Sequence, residues 1–209
     1  ARSTRTAKVT MARYHDVRDE IRDGDLILVR GRSWLAWLIR LRTSSPFAHC
    51  GLAMWVAVGG ERRLCVFEAM EGIGVQLIPL STVLARDGAF SWYGTWSDIT
   101  TTGTSDSHGC RVQKIDHKQI VAFALQHWGK RYASPWQFVR SFSCLIRRCA
   151  DWMGFPIDTD PERFYCAEYV IGGMTRAGWW SSQYLDPAET TPGDVARMAC
   201  FYPKGEVTS

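Results

Sequence analysis

The pattern of apolar and polar positions changes period about halfway along the chain. Asp25-Leu-Ile-Leu-Val-Arg30 is a continuous apolar run entered through the turn signal Asp23-Gly24, which predicts a short buried strand. Ser33 is a suitable N-cap for a helix in which Trp34, Trp37, Leu38 and Leu41 recur at i, i+3, i+4 and i+7, with Arg40 and Arg42 outside that stripe. Thr43-Ser-Ser-Pro46 ends it. Three β-like runs follow: Phe47 to Val58 closed by Gly59-Gly60, Arg63 to Ala69 closed by Glu71-Gly72, and Gly74 to Leu80. Such short turns predict an antiparallel meander. Ser81 to Arg86 predicts a helix of one or two turns. Trp92 to Trp96 and Gly109 to Ile115 predict further strands on either side of a polar loop, Thr100 to Ser107.

Beyond Ile115 the period is helical. Asp116 caps a predicted helix to Gly129 with Ile120, Phe123, Ala124 and Trp128 on one face. Ser134-Pro135 opens a second one toward Gly154, with Phe138, Phe142, Leu145, Cys149 and Met153 inward. A third runs from about Tyr165 to Gly178, and Thr191-Pro192-Gly193-Asp194 starts a short last one. A strand-rich first half followed by a helical second half predicts an α+β fold, with helices on one side of an antiparallel sheet. Residues 1–20 read as a flexible N-terminal arm, 21–200 as one domain, and 201–209 as a loose C-terminal tail.

Composition narrows the classes. The 209 residues are 46% hydrophobic and 22% charged, a soluble globular balance that excludes fibrous, coiled-coil and disordered chains. A net charge of +4 is too weak and scattered to argue for a nucleic-acid partner. Seven Cys in no dense framework predict reduced thiols. No apolar run approaches the roughly 20 residues of a membrane span, and the basic, polar start shows no secretory signal. The expectation is a soluble protein made in the cytoplasm, acting at a site the sequence does not name.

Candidate chemistry concentrates in three residues. Cys166 opens a predicted helix, where free N–H groups and the positive end of the dipole favour a thiolate, and a backbone N–H can meet a developing oxyanion. By position alone the plainer reading is that it is one of seven small hydrophobes packed in a core. His49 begins the predicted strand His49-Cys-Gly-Leu, beside a glycine that admits a close backbone neighbour, and so suits a general base or a satisfied strand-end histidine. Glu68 is a carboxylate inside an apolar strand, able to orient an imidazole if the strands pair or to face solvent if they do not. His108, His117 and His127 have no Cys, Asp or Glu at ligand spacing, so neither a metal nor a cofactor is expected. Trp34 and Trp37 read as a core stripe or as the rim of a substrate or membrane groove.

Taken in order, Asp23-Gly-Asp-Leu-Ile-Leu-Val-Arg30, Ser44-Ser-Pro-Phe-Ala-His49-Cys-Gly-Leu52, Phe67-Glu68-Ala69 and Phe164-Tyr-Cys166-Ala-Glu-Tyr-Val170 resemble the permuted NlpC-type papain-like hydrolases, also called YiiX-like. Gly129-Lys-Arg-Tyr132 is similar to that family's G-x-x-Y, and Thr191-Pro192-Gly-Asp194 to its closing T-P-x-D turn. The resemblance covers roughly residues 21 to 200. It implies a small antiparallel sheet or open barrel with helices on one side, Cys166 as nucleophile, His49 as base, Glu68 as the residue orienting that base, and Tyr132, Tyr165 and Trp34 near the substrate. The implied reaction is cysteine hydrolysis of an amide, in a cell-wall peptide or another small peptide or isopeptide. A lipid ester, thioester or acyl transfer is the neighbouring chemistry, and a non-catalytic module of a virion or other larger assembly the reading of a different class. Ala133 and Ser134 replace the Asp that commonly follows the family's Tyr, and Ser97 to Gly109 and Pro135 to Gly154 look like local additions, so substrate choice is not inherited.

Overall fold

The computed structural model describes residues 11–96, 111–112, 115–132, 163–180, 190–198 and 200–209. A seven-stranded sheet runs through it in the order β1-β11-β6-β2-β3-β4-β5. These strands are β1 (Met11–Arg13), β2 (Leu26–Val29), β3 (His49–Val58), β4 (Glu61–Met70), β5 (Gly74–Pro79), β6 (Ala89–Thr95) and β11 (Phe201–Thr208). All neighbours are antiparallel except β1 and β11. The predicted meander is β3-β4-β5, joined through Gly59-Gly60 and Glu71-Gly72. Of the strand expected over Gly109 to Ile115, Arg111–Val112 forms β7, which pairs with β10 (Trp179–Trp180), while Ile115 lies outside it; β8 (Arg131–Tyr132) and β9 (Arg163–Phe164) pair with each other in parallel. The helix expected from Pro135 to Gly154 lies outside the described residues.

Strand alternation sorts the core into two layers. Leu26 and Leu28, Cys50, Leu52 and Met54, and Phe67 and Ala69 pack with α4 (His117–His127) and α5 (Cys166–Arg176). The intervening Ile27 and Val29, Ala53, Leu64 and Val66 pack with α3 (Leu80–Asp87), Phe90 and Val207. Helices therefore cover both faces of the sheet, not one as the sequence suggested. The reason is local: α3 presents Leu80, Val83 and Leu84 to the face opposite α5.

Both ends also differ from expectation. The supposed tail is β11, paired along its length with β6, and Val207 is wholly buried. Pro203 and Gly205 sit at the register shift of a bulge, where a missing donor and a missing side chain are tolerated. Within the supposed arm, Met11–Arg13 pairs with β11, then α1 (Tyr14–Val17) and a 3-10 turn over Arg18–Glu20 lead to buried Ile21.

Polar anchors fix the start of the domain. The Asp25 carboxylate, buried beneath β2 and β6, accepts from the backbone N–H of Arg22 at 2.9 Å and of Thr95 at 2.9 Å, and from Trp92 Nε1 at 2.8 Å. Asp23 accepts from the Trp55 N–H at 2.6 Å. The Asp23-Gly24-Asp25 turn thus clips β2 to both of its neighbours, and burial pushes the Asp25 carboxyl above its usual range.

Candidate active site

His49 and Glu68 are brought together by strand pairing. The β3–β4 register sets Gly51 opposite Glu68, so the first residue of β3 reaches the carboxylate one step along. His49 Nε2 meets Glu68 Oε2 at 2.7 Å. A Cβ on Gly51 would stand 2.6 Å from the carbonyl oxygen of Phe67 and 3.2 Å from the Glu68 Cβ, so only glycine admits this spacing. Gly51→Ala is expected to cost about 1–3 kcal/mol by overpacking and to lower activity with it. Urea unfolding checks this, and unchanged stability would show that the strands can part without loss.

Glu68 is 1% exposed yet ionised, because four hydrogen bonds converge on it. Besides His49, Gln76 Nε2 donates to Oε1 at 2.9 Å, and the Arg86 guanidinium donates to Oε1 at 2.9 Å and Oε2 at 3.2 Å. Burial opposes the charge, but the facing His49 and Arg86 outweigh it and hold the carboxyl down at about 2. Arg86 also pairs with Asp87 at 2.8 Å. Neither Gln76 nor Arg86 was singled out from the sequence. The one available signal was Gln76 as the polar break in β5, which stands directly across from Glu68; Arg86 lies on a helix whose docking no local pattern announces.

Cys166 is the first residue of α5, as its predicted position required. The helix start is set by Glu168, whose carboxylate accepts from the Tyr165 N–H at 3.3 Å. The Cys166 N–H belongs to the first helical turn, which has no intrahelical acceptor. The sulfur is hydrogen-bonded to His49 and also to Cys50, through both that residue's thiol and its backbone. Since Nε2 of His49 is engaged by Glu68, Nδ1 is the nitrogen left for the sulfur.

The electrostatics follow from these contacts. Cys50 as donor, and then His49, pull the Cys166 thiol well below its ordinary value against the opposing effect of burial. Burial and the neighbouring Cys166 push Cys50 the other way, so Cys50 keeps its proton and donates it. For His49, burial disfavours the charge, but Glu68 and Cys166 overcome it and raise the imidazole to about 10. Both shifts favour a thiolate–imidazolium pair over the neutral thiol and imidazole. It sits beneath the surface: Cys166 is 5% exposed and the His49 side chain 14%, so the imidazole edge is the part nearest solvent.

The remaining predicted residues divide. Tyr132 lies close enough to Cys166 for their charges to interact, and burial raises its hydroxyl well above the ordinary value. Its ring meets that of Tyr165 edge-on at 6.0 Å. The segment carrying Tyr132 is held by reciprocal bonds with β5, from the Val75 N–H to the Lys130 carbonyl at 2.8 Å and from the Gly129 N–H to the Val75 carbonyl at 3.0 Å. Tyr165 is buried at the helix N-cap, where it forms a wall rather than an open surface. Trp34 is on the outward side of its helix, 72% exposed, and the structure does not bring it to the Cys166–His49 pair. The Thr191–Asp194 turn forms as read, with the Thr191 N–H donating to Asp194 Oδ2 at 2.9 Å and the Asp194 N–H to Thr191 Oγ1 at 3.2 Å. A Cβ on its Gly193 would collide with Ser45, which lies in the loop leading to His49, so glycine lets the two segments approach.

No family model matches the chain, and no curated protein matches it. Among solved structures the chain is similar to the crystal structure of a metalloprotein, YiiX, from Escherichia coli O157:H7, with a TM-score of 0.55 and 19% identity over 88% of this chain and 97% of that one. Among the described residues no group of three or more His, Cys, Asp or Glu is placed to hold a metal ion. The two best donors fit a resident ion poorly, since His49 Nε2 is committed to Glu68 and the Cys166 sulfur to hydrogen bonds. The chain therefore has a YiiX-like α+β fold, built on one mostly antiparallel sheet.

Proposed function

We propose that the chain is a cysteine hydrolase of permuted papain-like design, cleaving an amide bond through a Cys166–His49–Glu68 triad. The observation that carries this reading is the continuous relay from Glu68 Oε2, 2.7 Å from His49 Nε2, through the imidazole to a thiol at a helix N-terminus. The thiolate adds to the substrate carbonyl, and the oxyanion that forms is held by the Cys166 N–H. The His49 imidazolium gives its proton to the leaving amine as the C–N bond breaks, leaving an acyl thioester. Neutral His49 then takes a proton from water as that water attacks the thioester, releasing the carboxylic acid and restoring the ion pair. Glu68 keeps the ring oriented and stabilises its charged form, with Arg86 and Gln76 fixing the carboxylate in turn. Tyr132 borders the site.

The substrate class best matched to this chemistry is a cell-wall peptide or another small peptide or isopeptide. Incubation with purified peptidoglycan should release free amines with the native chain and none with Cys166→Ser. Amine release unaffected by that substitution would overturn the mechanism. A second reading, acyl chemistry on a lipid ester or thioester, is favoured by one observation: the exposed Trp34 and Trp37 on the helix leading to His49. Fatty acid released from phospholipid vesicles, or acyl groups accumulating on Cys166, would support it over the first.

A further inference from the structure

The helix α2 (Trp34–Thr43) is apolar on two opposite sides. Its inner side, Leu35, Ala36 and Ile39, is buried against Ala48, the residue before His49. At 100° per residue, Trp34, Trp37 and Leu41 fall within about 60° of one another on the side facing away from that cluster. They are 72%, 57% and 62% exposed. Scattered apolar residues on a surface need no explanation, but three large ones in a single stripe do. The charge around the stripe is also one-sided. Between Asp25 and Glu61 the chain has four arginines, Arg30, Arg32, Arg40 and Arg42, and no acidic residue. Arg30 and Arg32 are exposed just before the N-cap Ser33. On the helix, Arg40 and Arg42 flank the stripe on its two sides.

An apolar stripe bordered by cations complements a surface that is anionic at its face and apolar just beneath, which describes a bilayer containing anionic lipid. Indole rings favour that boundary because they pair an apolar body with one N–H donor. We propose that α2 is an interfacial helix. It seats Trp34, Trp37 and Leu41 among the headgroups of an anionic bilayer, with the exposed Arg30 and Arg32 toward the lipid phosphates, and so holds the His49 end of the candidate site at the membrane surface. The helix lies in the plane of the interface and does not cross it; no helix among the described residues is long and apolar enough to span. The docking is independent of the hydrolase reading, since it uses none of the triad.

The test uses the full chain carrying Cys166→Ser, so that vesicle binding is read without turnover. Co-sedimentation is measured with phosphatidylcholine vesicles and with vesicles containing about a third phosphatidylglycerol, at low and high salt. The expected result is at least about tenfold stronger partitioning to the anionic vesicles, reduced by salt. Trp34→Ser/Trp37→Ser/Leu41→Ser should cut it at least about tenfold. Arg30→Gln/Arg32→Gln should cut anionic binding about tenfold and leave neutral binding unchanged. These side chains are exposed, so circular dichroism and Tm should hold in both variants. Partitioning that ignores lipid charge, or that survives the triple substitution, would overturn the proposal. So would a dimer that the triple substitution turns into a monomer without any vesicle binding, which would assign the stripe to a second copy of the chain.

Discussion

Iodoacetamide at pH 6 is expected to alkylate Cys166 about ten- to a hundredfold faster than any other thiol of the chain. The four cysteines among the described residues, Cys50, Cys65, Cys166 and Cys200, are all buried, so exposure does not separate them and thiolate character must. An ordinary thiol with a pKa near 8.5 is less than about 1% ionised at pH 6, whereas the Cys166 thiol is held well below its usual value by Cys50 and His49. The lower intrinsic nucleophilicity of such a thiolate takes back part of that advantage, hence the range. The preference should vanish in His49→Ala. Turnover should fall by about 10³-fold or more in Cys166→Ser, because one member of the pair cannot work without the other. On the acid side, activity is lost as the thiolate is protonated. On the alkaline side it is lost as His49 gives up its proton near pH 10, so the profile should be a broad plateau across neutrality. Equal labelling of all thiols by mass spectrometry would remove the basis for a catalytic cysteine and leave a binding module as the better description.

Glu68→Gln should be the most damaging change outside the nucleophile, in both stability and pH dependence. It leaves the Arg86 guanidinium and the His49 ring facing a neutral amide in a site 1% exposed, a loss of about 3–5 kcal/mol for a broken buried pair. Guanidinium unfolding at neutral pH measures it. The signs of linkage make the prediction specific. Glu68 is depressed to about 2, so its stabilisation is present above its ordinary 4.5 and disappears as pH falls through the lower value. His49 is raised to about 10, so its contribution is complete below its ordinary 6.5 and is lost as pH rises through the higher value. With the carboxylate gone, the alkaline limb of activity should move down toward 6.5. Arg86→Met separates support from chemistry. It removes two hydrogen bonds to Glu68 but leaves the His49 contact, so stability should fall by about 1–3 kcal/mol while kcat changes more than KM. An Arg86 variant with native stability and an unmoved profile would show that the guanidinium merely happens to lie there.

How much of this was legible beforehand depends on the range of each interaction. The Asp23-Gly24-Asp25 turn, the Ser33, Asp116 and Thr191 caps and the α5 start at Cys166 are set by residues within four positions of one another, and the structure shows each of them. The β3–β4 meander was legible as well, and its register alone places His49 beside Glu68. The C-terminal tail was not legible as a strand: residues 201–209 have no clean apolar alternation, and Pro203 and Gly205 sit at a bulge inside β11. The helix over Ser81 to Arg86 was legible, but not the face it covers, because a two-turn amphipathic segment such as α3 carries no sign of which side of a sheet it will pack on.

Taken alone, the chain determined much of its local structure and singled out Cys166, His49 and Glu68, which the structure brings together, since caps, turns and strand alternation depend on near neighbours and on steric limits of the backbone. Only tertiary packing decided that Arg86 and Gln76 would complete the carboxylate's shell, that Cys50 would donate to the nucleophile, and that Trp34 would face outward instead of the core. Those outcomes depend on which elements dock together, and docking is settled by the total apolar surface buried and the pairing of buried charge, quantities that belong to no single stretch of sequence.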